Sequence, residues 1–165
     1  VALESVPSRA STGDVLSAVN DVICRATVNN NYVTAFLCAI DTRTNTLKFS
    51  NASHFPPLVY RHASGEFIEL NAKGMPLGWF RNITIEESEI RLSPGDRLVL
   101  FTDGITECMS PRGEIFGDER FREFIRGNRT LSPDAFTAAL LARLKEFSGS
   151  DKFDDDLTMV VLDVE

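Results

Sequence analysis

Four aspartates in two short segments carry the chemistry that this sequence most plainly offers. Asp103 stands in "LVLFTDGITECM" (98–109), directly after an apolar run and directly before Gly104, and Asp154, Asp155 and Asp156 open "DDDLTMVVL" (154–162). Aspartates held close together repel one another unless a cation neutralises them, and an all-oxygen donor set selects hard ions such as magnesium or manganese. Asp103 is therefore either a turn device or a ligand. A run of charges is usually solvated, so spacing alone leaves a turn-and-loop reading beside the cation reading. A calcium EF-hand does not fit, because "DKFDDDLTMVVL" lacks the glycine at its sixth position and the closing glutamate. Nor is there a Ser/His/Asp constellation or a Cys/Arg signature loop for nucleophilic catalysis.

The two acidic segments meet only if the right elements carry them. Leu98, Val99, Leu100 and Phe101 read as a strand covered on both faces, and "LTMVVLDV" reads as a closing strand. If these two are antiparallel neighbours, the end of one and the start of the other share a sheet edge, and the carboxylates converge.

Upstream, Val15, Leu16, Val19, Val22, Ile23 and Ala26 have helical spacing over Asp14 to Thr27, with Thr12 or Asp14 as the cap. "NNNY" breaks the helix. "YVTAFLCAID" and "TLKFSNA" form a hairpin through "TRTN"; "PPLVYRH" and "EFIEL" form a second about Ala63-Ser64-Gly65. "NAKGMPLGWF" is a loop in which Met75 and Trp79 serve as apolar anchors. "ITIEESEIRL" alternates as a strand whose parity shifts between Ile85 and Ile90, which implies a bulge. Phe121, Phe124 and Ile125 mark a short helix, and Ser132-Pro133 starts a longer one along Phe136, Leu140, Leu144 and Phe147. The order defines an α+β domain with layered antiparallel sheet.

Composition agrees with one globular domain: 165 residues, 43% hydrophobic. With 17 basic and 24 acidic residues the formal charge is -7, which points away from nucleic acid and anionic membranes. Cys24, Cys38 and Cys108 lack metal or disulfide spacing and read as small apolar residues in a reducing, cytoplasmic setting. No apolar run reaches membrane-spanning length. The chain begins at Val1 and enters a helix almost at once, so a fragment of a longer polypeptide is expected.

"FTDGITE", "NASHFPPLVYR", "GMPLGW", "LSPGDRLVLFTDG", "GEIFGDERF" and "DDDLTMVVL", in this order, closely resemble the SpoIIE/RsbU-type branch of the metal-dependent protein phosphatase 2C superfamily. The resemblance implies an antiparallel β-sandwich flanked by helices, N-terminally incomplete here, with two manganese or magnesium ions at one end. It implies hydrolysis of phosphoserine or phosphothreonine on a regulatory protein, typically a STAS-fold anti-sigma-factor antagonist, by a water that two cations activate. No catalytic side chain is then required. By position, Asp103 and Asp155 match metal-ligating aspartates, while Gly104 and Asp156 occupy the adjacent positions.

His54 matches the histidine of the family's "NAGH" turn, where Ser53 departs from glycine, and Arg112 lies in a turn near the acidic end; both are candidate substrate contacts, although for His54 a loop-stabilising hydrogen bond is the plainer role. The family's upstream "GGDYYD" and "GDVSGHG" motifs do not occur in this sequence, and "TGDVLSA" imitates the second while reading as a helix cap. The whole of 1–165 is thus expected to be the C-terminal portion of one phosphatase domain. The alternative is a degenerate, non-catalytic module that binds a protein partner or forms a homodimer through an uncovered strand edge.

Overall fold

The structure, a computed structural model, describes residues 10–26 and 31–165. Three helices and seven strands follow one another as α1 (Thr12–Ala26), β1 (Ala35–Asp41), β2 (Thr46–Ala52), β3 (Leu58–Tyr60), β4 (Phe67–Glu69), β5 (Ser88–Arg91) and β6 (Arg97–Phe101), then α2 (Gly117–Gly127), α3 (Pro133–Ser148) and β7 (Met159–Asp163) among the described residues. The expected helix end at Thr27 and the start of the "NNNY" break lie outside them. No helix among the described residues is long and apolar enough to cross a membrane. The strands form two antiparallel sheets, ordered β1-β2-β5 and β4-β3-β6-β7, and each belongs to its own unit of the chain.

The first unit takes in Val1–Pro56 and Leu70–Leu92. Its helix starts on a reciprocal pair: the Asp14 N–H donates to Ser11 Oγ at 3.0 Å, and the Ser11 N–H donates to Asp14 Oδ2 at 3.0 Å. The cap is thus Ser11, one residue before the expected pair, because Thr12 is used elsewhere. Its N–H and hydroxyl both donate to Glu87 Oε2, at 2.7 and 3.0 Å. A Cβ added at Gly13 would lie 2.0 Å from the Ile85 carbonyl oxygen, so "TGDVLSA" is a helix start pressed against the 83–87 backbone.

That docking shortens the strand expected over 83–92. Only Ser88–Arg91 pairs with β2, while Ile85 drops into a cluster with Leu16, Ala52 and Leu77. Burial of Ile85 outweighs the ladder bonds that regular pairing would have added there. In the preceding loop Leu77, 1% exposed, is the anchor; Trp79 at 55% and Met75 at 43% are not, which corrects the expectation for both. Trp79 instead stacks between Tyr32 and Phe80 at the surface, with ring centroids 5.6 and 5.9 Å away.

The second unit takes in Pro57–Glu69 and Ser93–Glu165. Strand β6 lies between β3 and β7, pairing Leu98 with Leu162 and Phe101 with Met159. Phe101 meets Phe121 of α2 edge-on at 4.7 Å, and Phe124 meets Phe136 of α3 at 5.3 Å, so aromatic contacts join the helices to each other and to the sheet. Ser132 caps α3 by accepting from the Ala135 N–H, with Pro133 in the first turn, as the sequence predicts.

One feature of this sheet differs from the sequence reading. Leu100 is only half-buried, and Val160 and Leu162 of β7 are exposed. Arg97, a charged residue at the strand start, is among the most buried side chains at 3% exposure. Its guanidinium donates to both carboxylate oxygens of Asp163, at 2.6 and 2.8 Å, and to the Leu131 and Asn128 carbonyl oxygens, and it lies 4.9 Å from the centre of the Phe136 ring. Beside it the partly buried Arg61 pairs with the buried Asp96.

Candidate metal centre

The β6–β7 register carries the two acidic segments to one sheet edge, and a pair of threonines just beyond the ladder holds them there. The Thr102 N–H donates to the Thr158 carbonyl oxygen at 3.1 Å. The Thr158 N–H donates to Thr102 Oγ1 at 3.1 Å, and the same hydroxyl donates to the Asp156 carbonyl oxygen at 3.2 Å. One hydroxyl thus closes the gap by both accepting and donating.

Gly104 completes the approach: a Cβ there would lie 2.7 Å from the Asp156 carbonyl oxygen and 3.3 Å from Leu157 Cδ2. Any side chain would force the two loops apart. The glycine is needed for close approach, since the φ angle is not in the left-handed region that other glycines of the chain adopt.

The turn after β6 is made by backbone oxygens. The Asp103 carbonyl accepts from the Glu107 N–H at 2.8 Å and from the Thr106 hydroxyl at 3.1 Å, and the Thr102 carbonyl accepts from the Ile105 N–H at 3.2 Å. The Asp103 carboxylate takes no part in these bonds and stands exposed. An aspartate serving as a turn device would use its side-chain oxygen to accept from a nearby N–H. Across the gap, Asp155 Oδ1 accepts from the Asp156 N–H at 2.7 Å, and the Asp156 side chain is exposed. Asp154 adds to burial in pushing the Cys108 thiol above its ordinary range, burial being the larger cause. Asp154 therefore bears on the thiol.

The donor chemistry fits a hard divalent cation, because carboxylate oxygens are its preferred ligands. The number of donors does not complete a shell: among the described residues no group of three or more His, Cys, Asp or Glu side chains is placed to hold an ion.

Two other residues singled out from the sequence lie elsewhere. Arg112 sits exposed in the turn after Ser110, where its N–H donates to Ser110 Oγ at 3.3 Å. His54 belongs to the first unit. Its N–H donates to Asn51 Oδ1 at 2.7 Å, its carbonyl accepts from Asn51 Nδ2 at 3.0 Å, and its ring Nδ1 is 3.2 Å from Thr34 Oγ1. These bonds stabilise the turn in which Ser53 takes a φ of 57°. Sequence reasoning missed the Thr102 clamp, which the threonine in each motif signals only weakly. It also missed a cleft of about 470 Å3 beside the aspartates, reached by Gly104, Asp154, Asp155 and Lys152.

Two antiparallel sheets and three helices among the described residues form a protein phosphatase 2C-like fold, and solved structures agree. The PP2C domain of SiaA from Pseudomonas aeruginosa superposes with a TM-score of 0.80 at 25% identity, covering 99% of this chain and 65% of that one. The phosphatase domain of the cell fate determinant SpoIIE from Bacillus subtilis, presoaked with manganese, superposes at 0.68 with 22% identity, covering 99% and 69%. Residues 2–165 match the family described as Stage II sporulation protein E (SpoIIE), and the chain belongs to that family. Phosphoserine phosphatase RsbU of Bacillus subtilis (strain 168) is 26% identical over 165 residues, which are 98% of this chain and 48% of that protein. The chain spans less than half the length of this relative.

Proposed function

We propose that the chain is the C-terminal portion of a single serine/threonine protein phosphatase domain, spanning 1–165, that hydrolyses phosphoserine or phosphothreonine on a regulatory protein, with a phosphorylated STAS-type partner as substrate. The observation that carries this reading is the meeting of the loops that bear Asp103 and Asp155 at one sheet edge, held by the Thr102 hydroxyl and permitted by Gly104. The relative RsbU is a phosphoserine phosphatase, and the SpoIIE phosphatase domain was soaked with manganese, which supports manganese or magnesium as the cation.

In this reading Asp103 and Asp155 hold the cation, and Asp156 orients the loop beside it. When bound, a pair of such ions supplies a water acidic enough to ionise near neutral pH and positive charge for the phosphoryl oxygens. The rest falls to positioning: the Thr102 clamp sets the separation of the two carboxylate-bearing loops. Cys108, the one cysteine near them, is unsuited to attack, because burial keeps its thiol protonated and only the thiolate is nucleophilic. Arg112 remains a proposed substrate contact, whereas the bonds of His54 fit the loop-stabilising role. The three cysteines are free, which supports action in the cytoplasm.

Phosphate release from a phosphoserine STAS protein, followed with and without manganese for the full-length protein, tests the reaction. A rate no greater with metal than without it would overturn the reading. The second reading, a non-catalytic module that binds a partner or forms a homodimer, draws on the incomplete donor set and on the exposed Val160 and Leu162 of the edge strand β7. Calorimetry with manganese on the full-length protein separates the two, since a working centre gives saturable binding that Asp103→Asn weakens whereas a degenerate module gives none.

A further inference from the structure

The cleft beside the aspartates has a volume of about 470 Å3, well inside the range of about 300–1,000 Å3 typical of ligand sites. Its walls are of two kinds. Met109 and Pro111 come from a small hairpin closed by the Met109–Ile115 bridge and by the Ser110 N–H donating to the Glu114 carbonyl at 2.8 Å, and Phe153 comes from the loop before β7. These give the cleft an apolar part of its lining, in which Met109 is 55% exposed although a methionine gains by burial.

Glu107, Asp154 and Asp155 make the rest of the lining acidic, and Lys152 is its single cationic side chain. The neighbouring Lys145 pairs with Asp151 at 2.8 Å, whereas Lys152 enters no ion pair among the described residues. Gly104 and Asp155 line the cleft as well, so it opens directly onto the candidate metal centre.

We propose that this cleft seats the stretch of a phosphoprotein adjoining its phosphorylated residue, with an apolar side chain on Met109, Pro111 and Phe153 and Lys152 facing the phosphate-bearing end. The inference rests on the phosphatase reading and names what that site selects. An extended chain advances about 3.3 Å per residue, so a side chain one or two residues from a phosphoserine that a cation would hold at Asp103 and Asp155 would fall within the cleft. Charge decides the rest: Glu107 and Asp154 repel an acidic flank, and Lys152 is the one cationic side chain of the lining that offsets them. The segment selected is phosphoserine with an apolar, non-acidic neighbour.

The test uses a fluorescein-labelled phosphoserine peptide with leucine two residues after the phosphoserine, and a second peptide with aspartate in place of that leucine. Anisotropy titrations against the chain in manganese give both dissociation constants, and the leucine peptide is expected to bind about tenfold more tightly. Met109→Glu, at an exposed position and with its folding checked by circular dichroism, should abolish that preference, and Lys152→Glu should weaken both peptides about threefold or more. Equal affinity for the two peptides, or a preference that survives Met109→Glu, overturns the assignment. Hydrolysis of p-nitrophenyl phosphate by the full-length wild-type protein, a substrate too small to fill the cleft, reports separately on the reaction. Hydrolysis without peptide discrimination removes the cleft proposal and leaves the phosphatase; discrimination without hydrolysis removes the phosphatase and keeps the cleft as a peptide site.

Discussion

Gly104 and Asp156 are packed so closely that a single added carbon on the first would lie 2.7 Å from the carbonyl oxygen of the second. The contact is with backbone, which cannot swing aside as a flexible side chain would. Gly104→Ala should therefore separate the two aspartate-bearing loops and cost about 1–3 kcal/mol, the usual range for overpacking. Urea unfolding of the variant would show the loss as a lower midpoint with an unchanged slope. An unaltered midpoint would mean that the loops part without resistance and that their proximity is not enforced.

Charge at the two converging positions should matter more than at the third. Asp103→Asn and Asp155→Asn keep size and remove charge, so manganese-dependent phosphate release from a phosphoserine protein should fall sharply while folding survives. Asp156→Asn should be milder, about 10–100-fold, as for groups that orient a ligand without supplying its charge. Rates for Asp103→Asn near those of the wild type would remove that residue from the metal centre.

Arg97 is buried with its charge satisfied by Asp163 and two carbonyl oxygens. Asp163→Asn leaves a buried guanidinium without its counter-charge, and breaking such a pair costs about 3–5 kcal/mol when both partners are buried. Because the Asp163 side chain is 38% exposed, the loss should fall at or below the low end of that range. Replacement of both partners by apolar residues of similar volume should restore part of it. Thermal denaturation of the single and double variants reads this as non-additive shifts in Tm.

Acid should act on the start of α1. The Thr12 N–H, opposed by burial and aided by the Thr12 hydroxyl and Lys48, holds the Glu87 carboxyl below its ordinary value. A depressed folded-state pKa stabilises the protein above the unfolded-state value of about 4.3, and that contribution disappears as pH falls through the folded value. Glu87→Gln should therefore be destabilising at neutral pH and progressively less so below about pH 4.3. Unfolding curves for both proteins between pH 7 and pH 3 would show the two stabilities converging; a constant difference would mean that the ionised carboxylate contributes nothing.

Local rules were enough for much of this molecule. Ser132 and Pro133 announce α3, because a cap hydroxyl and a first-turn proline need only the next three residues to act. The first hairpin strand over Thr46–Ala52 and the apolar run that becomes β6 are legible for a similar reason, and the ordered motifs around "FTDG" and "DDDLT" point to the family. Wherever the deciding partner is distant in sequence, local reading falls short. Ser11 takes the cap of α1 because Glu87, far along the chain, claims Thr12. Ile85 leaves its strand because Leu16 and Leu77 offer it burial. Arg97 carries no local sign of burial, and Asp163 and Phe136 close over it only in the fold.

The candidate centre divides along the same line. Residue types alone nominate Asp103 and Asp155, since carboxylate chemistry is carried by each side chain wherever it lies. Their convergence depends on β6 pairing with β7, on one threonine hydroxyl bridging 54 residues of chain, and on a glycine whose missing side chain lets two backbones touch. Those are contacts between segments, and no segment contains them.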